Sequence, residues 1–518
     1  MIKTLVIVGG GTSGWLTASY LARTLATNLP QGVRITLVES PDIGILGVGE
    51  GTFPSIKTTL QRIGIDEIQF LRDSNATFKQ GIRFDHWQRT PGTPGRDHYF
   101  HPFQSAQIRG DLDLLPYWLL GCAGDGIGWD EAMTVQKRVA DASLAPKRRQ
   151  DSAYGGPLNY AYHFDATRFA ALMRWAALQL GVHAIEDTVS GVERTEDGGI
   201  AALVTRDHGL IRGDLFIDCS GFRAELIGKA LGSPFTSCRR WLFCDRAVAM
   251  QVPYDHPDAP IASYTISTAH EAGWTWDIGL DDRRGIGHVY SSAHIDDEQA
   301  ERRLRATIGP AASDKAVRSF RFDVGYRPAS WVKNCIAVGL SSGFFEPLEA
   351  TGIVFIEAAA LLIANLFPWS GPVEIAARQF NRIMTERYER TVDFLKMHYC
   401  LSERRDSDFW RDNCAPSSQP DSLQDLLERW RHRPPDPMDF DMNYQNFSDS
   451  SWQFVLYGMG YPTDLSAKAA AYGQHDTARA RFGEIRAQAD QALRALPSHR
   501  DLIDRVHGRP AATAQIRA

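Results

Sequence analysis

Thr4-Leu5-Val6-Ile7-Val8-Gly9-Gly10-Gly11-Thr12-Ser13-Gly14-Trp15-Leu16 reads as strand, glycine turn and helix in immediate succession. Residues 4–8 are apolar or β-branched throughout. Beyond the glycines, Trp15, Leu16, Ala18, Leu21 and Ala22 follow the period of an amphipathic helix. Glycines at 9, 11 and 14 give the G-x-G-x-x-G spacing, a weak signal alone and a much stronger one where it follows a strand and opens a helix. Backbone N–H groups and the helix dipole can then face a pyrophosphate. A second apolar run at 33–38 ends at Glu39, the acidic position that meets a ribose hydroxyl in a dinucleotide-binding βαβ unit. The competing readings are an ordinary structural turn for the glycines and an exposed strand-end acid for Glu39.

Only one such fingerprint is present, and Gly47-Val48-Gly49-Glu50-Gly51-Thr52 suggests a cofactor lying across the fold. FAD is therefore favoured over NAD. The glycine-rich stretch 121–128 follows no strand, so no NAD(P)H domain is expected and reduced flavin is expected from a separate flavin reductase. Further along, residues 160–164 read as a strand, Asp165 as a helix N-cap, and Asp197-Gly198-Gly199 as a hairpin turn between strands near 188–194 and 200–205. Residues 215–218 and 335–339 read as returning parallel strands, the first ending at Cys219-Ser220-Gly221 and the second running into Gly339. Short β runs dominate from about 240 to 325, residues 353–366 form a strongly apolar helix, and the chain is mostly helical from about 372. These elements predict an α/β protein with a Rossmann-like FAD-binding fold of the GR2-type flavoprotein monooxygenase-like kind, an inserted antiparallel β-sheet and a helical C-terminal lobe. The domains expected are a discontinuous FAD-binding domain over 1–110, 155–235 and 325–390, a β-rich substrate and tunnel insertion over 236–324, and a C-terminal lobe over 391–518 covering the substrate site.

Composition narrows the function classes. With 518 residues the chain exceeds the size at which one core stays compact, about 250 to 300 residues, so merged lobes are expected. A net charge of -6, with 43% hydrophobic and 23% charged residues, gives no general attraction to nucleic acid or an anionic membrane. Seven scattered cysteines without a CxxC pair point to a reducing cytoplasm rather than a disulfide framework or a zinc knuckle. The opening apolar run is too short for a signal-peptide core or a membrane span.

Several motifs carry chemistry, each with a plainer alternative. Gly339-Leu340-Ser341-Ser342-Gly343 matches the nucleophile-elbow pattern of serine hydrolases, but no acid and histidine in the expected later order stand out, and a tight turn near the flavin accounts for it. His98 and His101 fit an aromatic cluster better than a metal site, and no metal is expected. Glu346 and Glu349 lie in an apolar stretch before the helix at 353; a buried carboxylate needs a partner or a function, or is a helix-start acid. Trp274 and Trp276 fall at i and i+2, on one face of a strand. Lys79 sits in a β-like stretch, although a lone lysine is usually solvated.

Taken together, Gly9 to Trp15, Gly47-Val48-Gly49-Glu50, Phe78-Lys79-Gln80-Gly81, the Trp-x-Trp-x-Ile of 274–278 and Pro347-Leu348-Glu349-x-Thr351-Gly352 resemble the flavin-dependent halogenases of the tryptophan-halogenase type over nearly the whole chain. The resemblance implies that reduced FAD and O2 oxidise a chloride or bromide ion to hypohalous acid, which crosses to Lys79 and attacks an electron-rich ring. It assigns Lys79 and Glu349 as catalytic, Glu349 polarising the oxidant or accepting the proton lost on rearomatisation. Thr351 and Gly352 would bind the halide; Gly9, Gly11, Thr12, Ser13, Gly14, Glu39, Gly47, Val48, Gly49, Glu50 and Gly339 would bind the cofactor. Trp274 and Trp276 would wall the tunnel, while His101 and Phe103 would form an aromatic platform opposed by Trp452.

Two positions depart from the family pattern, Gly279 where proline is usual and Ala350 where serine follows the catalytic glutamate. The paired tyrosines and glutamate that clamp free tryptophan are not evident, only Asn443-Tyr444, so an indole-like arene is favoured over the amino acid. The alternatives are a flavin-dependent aromatic hydroxylase and a non-catalytic flavin-binding protein. A monomer or homodimer is expected.

Overall fold

The strand Thr4–Val8 lies inside a six-stranded sheet ordered Trp331–Val332, Cys335–Ala337, Leu215–Asp218, Thr4–Val8, Arg34–Glu39, His183–Glu186. The computed structural model describes residues 2–44, 47, 49–105, 112–440 and 445–509. All pairings in this sheet are parallel except that of Trp331–Val332 with Cys335–Ala337, and Leu5 lies between Leu215 and Ile35. A parallel sheet covered on both faces needs apolar residues at every position, which is why residues 4–8 show no alternation. Val6 and Val8 join Phe216, Cys335 and Ala337 in one cluster with Ile200, Leu203, Leu226 and Ile227. Full burial of each such side chain contributes about 1.5–3 kcal/mol.

The helix Thr12–Thr24 packs on Ala166–Gln179 and Thr351–Asn365, and Ser19 Oγ donates to Met173 O across the first pair at 2.8 Å. Asp165 caps its helix by accepting from Arg168 N–H at 2.8 Å. The strands Val189–Arg194, Ile200–Thr205 and Leu210–Arg212 form an antiparallel meander, with Gly198 at φ +86° in the first turn.

The chain divides into two compact units. The first comprises residues 1–76, 164–239 and 322–389 and contains the sheet and helices above. The second comprises residues 77–163, 240–321 and 390–518. Its centre is a seven-stranded sheet ordered Arg318–Arg321, Arg246–Pro253, Arg283–Tyr290, Gly273–Gly279, Thr265–His270, Gly81–Asp85, His98–Pro102. Neighbours are antiparallel except Thr265–His270 with Gly81–Asp85. Beside it, Thr77, Phe78 and Lys79 pair antiparallel with His163, Tyr162 and Ala161. Helices Asp297–Ile308, Asp408–Cys414, Asp421–Trp430, Asp449–Gly458, His475–Ala495 and His499–Val506 belong to the same unit. The first of these is held by a capping box of Asp296 and Gln299.

Candidate active site

The glycines of the fingerprint in the first unit differ in what they permit. Gly9 has φ +113°, and a Cβ there would lie 2.2 Å from Cys219 O. A Cβ on Gly14 would lie 1.8 Å from Gly9 O, so only glycine lets the helix start this close to the strand. At Gly10 a Cβ would meet Glu39 Oε2 at 2.0 Å. Gly11 differs: it is the N-cap of Thr12–Thr24, has no side-chain cap, and a Cβ on it would meet nothing within 4 Å. Uncapped N–H groups facing open space are what an incoming pyrophosphate requires.

This glycine turn and helix start fit the pyrophosphate of a dinucleotide such as FAD. Gly11→Ala is expected to lower flavin affinity at least about tenfold, ~1.4 kcal/mol. The melting temperature should fall by only a few degrees: alanine is a poorer N-cap than glycine by about 0.5–1 kcal/mol, and a φ of -79° is open to either residue. Flavin fluorescence titration and a thermal melt measure the two effects.

Thr12 opens the helix. Ser13 Oγ donates to Val338 O at 3.0 Å, and Gly339, at φ +74°, brings its backbone so near that a Cβ would sit 2.5 Å from Ser13 Oγ. Glu39 accepts from Trp15 Nε1 and from Arg174 Nε, both at 3.1 Å, so both of its oxygens carry a protein donor. Gly47 packs on Ala166, where a Cβ would approach to 2.4 Å. Gly49 has φ +140°, and burial pushes the Glu50 carboxyl up to about 7. Val48 lies outside the described residues. Asp218, which sequence reasoning passed over, organises the return turn: its carboxylate accepts from Ser220 N at 3.0 Å and from Leu226 and Ile227 N at 2.8 Å.

Ser341 of the elbow-like motif is buried in the turn Gly339–Ser341, its hydroxyl facing Asp218 O and Val338 O. It packs as a turn residue.

Glu349 is 1% exposed, in the turn Pro347–Glu349 that precedes the helix Thr351–Asn365. That helix starts from Ala350 in the left-handed region, φ 55°, with no side-chain cap, and a Cβ on Gly352 would meet nothing within 4 Å. A helix N-terminus without a side-chain cap is the kind of end at which anions are favoured. Deeper in the helix, Glu357 ties it to Ser55–Ile63 by accepting from Thr59 Oγ1 at 2.5 Å and Ser55 Oγ at 2.9 Å. Burial pushes its carboxyl up to about 7.

In the second unit, Lys79 is fully buried, with its ammonium 5.2 Å from the centroid of the Phe103 ring, within cation–π range. His163, opposite Thr77, bonds Thr265 Oγ1 at 2.8 Å, and burial, reinforced by the Lys79 charge, holds its imidazole well below the usual range. His101 packs on Phe394, ring centroids 5.8 Å apart. Phe394 in turn stacks on Phe447 at 3.8 Å and meets Trp452 edge-on at 4.9 Å, and Trp452 stacks on Phe440 at 5.2 Å. Phe394, Phe440 and Phe447 thus extend the expected platform. The aromatic content of residues 394–452 was the available signal, but their convergence comes from tertiary packing of a helix with the loop residues that follow it.

Trp274 and Trp276 lie on one face, ring centroids 6.3 Å apart, Trp274 beside Trp87 and Trp276 over Gly287. Gly279 ends their strand where a Cβ would lie 2.8 Å from Tyr254 Oη and 2.9 Å from Ile261 Cγ2, and its carbonyl accepts from Thr77 Oγ1 at 2.6 Å. Close packing against Tyr254 and Ile261 suits glycine there. Asn443-Tyr444 lies outside the described residues.

Solved structures share this architecture over the whole chain. The tryptophan halogenase from Shewanella frigidimarina NCIMB 400 superposes with a TM-score of 0.93 at 39% identity, covering 99% of each chain. BrvH, a flavin-dependent halogenase from Brevundimonas sp. BAL3, superposes at 0.85 with 33% identity, covering 97% of this chain and 99% of its own. Together with the cradle and the buried lysine, these likenesses define a flavin-dependent halogenase, which uses reduced FAD, O2 and a halide to halogenate an electron-rich aromatic.

The chain belongs to the tryptophan halogenase family, whose model matches residues 4–474. Among its relatives, the 7-chloro-L-tryptophan 6-halogenase KtzR of Kutzneria sp. (strain 744) is 35% identical, covering 97% of this chain and 99% of its own. Family membership favours halogenation over hydroxylation or a silent flavin-binding role. No helix among the described residues is long and apolar enough to cross a membrane.

Proposed function

We propose that this halogenase acts on an indole-like ring, with free tryptophan the second choice, and that Lys79 and Glu349 carry the transfer. The observation that supports this most is the buried Lys79 ammonium against Phe103, in a unit whose His101, Phe394, Phe447 and Trp452 form connected aromatic contacts. A flat, apolar ring suits such walls. Bound reduced flavin supplies, with O2, the oxidising equivalents that convert halide to hypohalous acid. Gly9, Gly11, Thr12, Ser13 and Gly14 hold its pyrophosphate, with Glu39, Gly47, Gly49, Glu50 and Gly339 completing the cradle. The N–H groups of Thr351 and Gly352 hold the halide. Lys79 binds the oxidant and presents its halogen to the ring, Trp274 and Trp276 shield the route, and Glu349 removes the ring proton.

The discontinuous FAD-binding domain, expected over 1–110, 155–235 and 325–390, has its glycine fingerprint and returning strands in the first unit. The sequence carries one dinucleotide fingerprint, so a separate flavin reductase supplies reduced FAD. Seven free cysteines suit a reducing cytoplasm. The named relatives in the tryptophan series keep the amino acid as the second reading.

The test is a rate comparison with FAD, an NADH-driven flavin reductase and chloride or bromide. Indole is expected to exceed tryptophan in kcat/KM by at least about tenfold, ~1.4 kcal/mol of transition-state binding. A preference for tryptophan would overturn the substrate assignment while leaving the halogenase class intact.

A further inference from the structure

The strand Thr77–Lys79 has its paired strand, Ala161–Phe164, on one side; the N–H of Phe78 faces the other way. There it donates to Nε2 of His499 at 2.9 Å, a residue 421 positions later and beyond the 4–474 span matched by the family. The His499 side chain is fully buried, and its Nδ1 faces Ile261 O at 3.1 Å. Nε2 must be the acceptor, since Phe78 N–H can only donate, so the neutral ring carries its proton on Nδ1. Burial pushes the imidazole down to about 3, which keeps that arrangement at neutral pH.

The histidine is itself anchored. His499 N donates to Ser143 O at 2.9 Å, Ala145 N donates to Pro497 O at 3.0 Å, and Arg500 donates to Ala259 O at 2.9 Å and to Asp281 O at 2.7 Å. The neighbours of Lys79 are pinned as well: Thr77 to Gly279 O, and Gln80 N to Ser263 O at 2.7 Å.

We propose that His499 is a positioning residue for Lys79: its Nε2 supplies the acceptor that a further strand would otherwise provide, and so fixes the backbone from which the lysine projects. The inference rests on the reading of Lys79 as the halogen-transfer residue.

Three variants of the full-length chain test it. His499→Leu keeps a buried apolar volume without an acceptor, His499→Gln can place a carbonyl where Nε2 stands, and His499→Asn keeps the inner donor without that reach. Hydrogen–deuterium exchange over residues 77–79 should accelerate in the Leu and Asn variants and return toward wild type in the Gln variant. In the same variants, halogenated product per O2 consumed should fall about ten- to a hundredfold and hypohalous acid captured by an added scavenger should rise, with O2 consumption unchanged. The Gln variant should recover most of the coupling.

Wild-type exchange and coupling in the Leu variant would overturn the proposal, as would equal impairment of all three. Should the Leu variant fail to fold, the Asn and Gln pair decides by the same readouts. If Lys79→Ala retained full product while exchange responded as described, the lysine assignment would fall and the backbone-positioning result would stand.

Discussion

Lys79→Ala is expected to bind FAD and consume O2 as the native enzyme does, yet to lose halogenated product by about a hundredfold or more, on the scale of removing a group that acts directly on the reacting atoms. Lys79 is fully buried on a strand of the second unit, while the glycine cradle is built entirely from the first. The substitution changes no residue of the cradle. The ammonium is the group suited to hold an oxidant by hydrogen bond, and alanine has none. A methionine in its place would keep the stem against Phe103 and should be equally inactive, which separates lost chemistry from lost packing. Product and oxidant are measured together, the first by chromatography and the second with a hypohalous acid scavenger. Full turnover by either variant would remove Lys79 from the mechanism.

Glu349→Gln should lower kcat by about 10² to 10⁴, the range associated with a positioned proton acceptor. The side chain is 1% exposed and sits one residue before the left-handed Ala350, so the isosteric amide preserves the turn. What it removes is basicity. If Glu349 takes the ring proton, deuterium at the attacked carbon should produce a kinetic isotope effect in the Gln variant that is small or absent in the native enzyme. Flavin titration should show affinity unchanged within about twofold, ~0.4 kcal/mol. An unaltered kcat would assign the proton to another acceptor.

Local patterns made much of the first unit legible. Residues 4–16 form the strand, turn and helix their glycine spacing predicts, Asp165 caps its helix, and Asp197-Gly198-Gly199 makes the turn between Val189–Arg194 and Ile200–Thr205. Each depends on chemistry within a few residues of itself, which is the range over which propensity and capping act.

The second unit depends on long-range pairing. Gly81–Asp85 and His98–Pro102 extend a sheet whose other strands come from 246–321, and nothing in their own alternation marks that partner. Phe394 and Phe447 join His101 and Trp452 from a helix, a loop, a strand and a second helix, and His499 reaches Phe78 across most of the chain. Such residues look like ordinary core from sequence, because contact chemistry appears only once the elements are assembled.

Motif order and spacing nominate the candidate site, and the structure adds the packing reason behind individual residues. Glycine at 11 leaves space while glycine at 14 relieves a clash, and Glu39 is already engaged by Trp15 and Arg174. Ser341, which fits a hydrolase pattern on paper, spends its hydroxyl on backbone carbonyls.

Halogen reaches the aromatic ring through oxidant made with reduced flavin. The decisive measurement is the mass spectrum of indole product formed by the native enzyme with reduced FAD and O2, in chloride and in halide-free buffer. A monochlorinated product with the chlorine isotope pair, absent without halide, is the predicted result; a mass gain of one oxygen formed equally well without halide would contradict it.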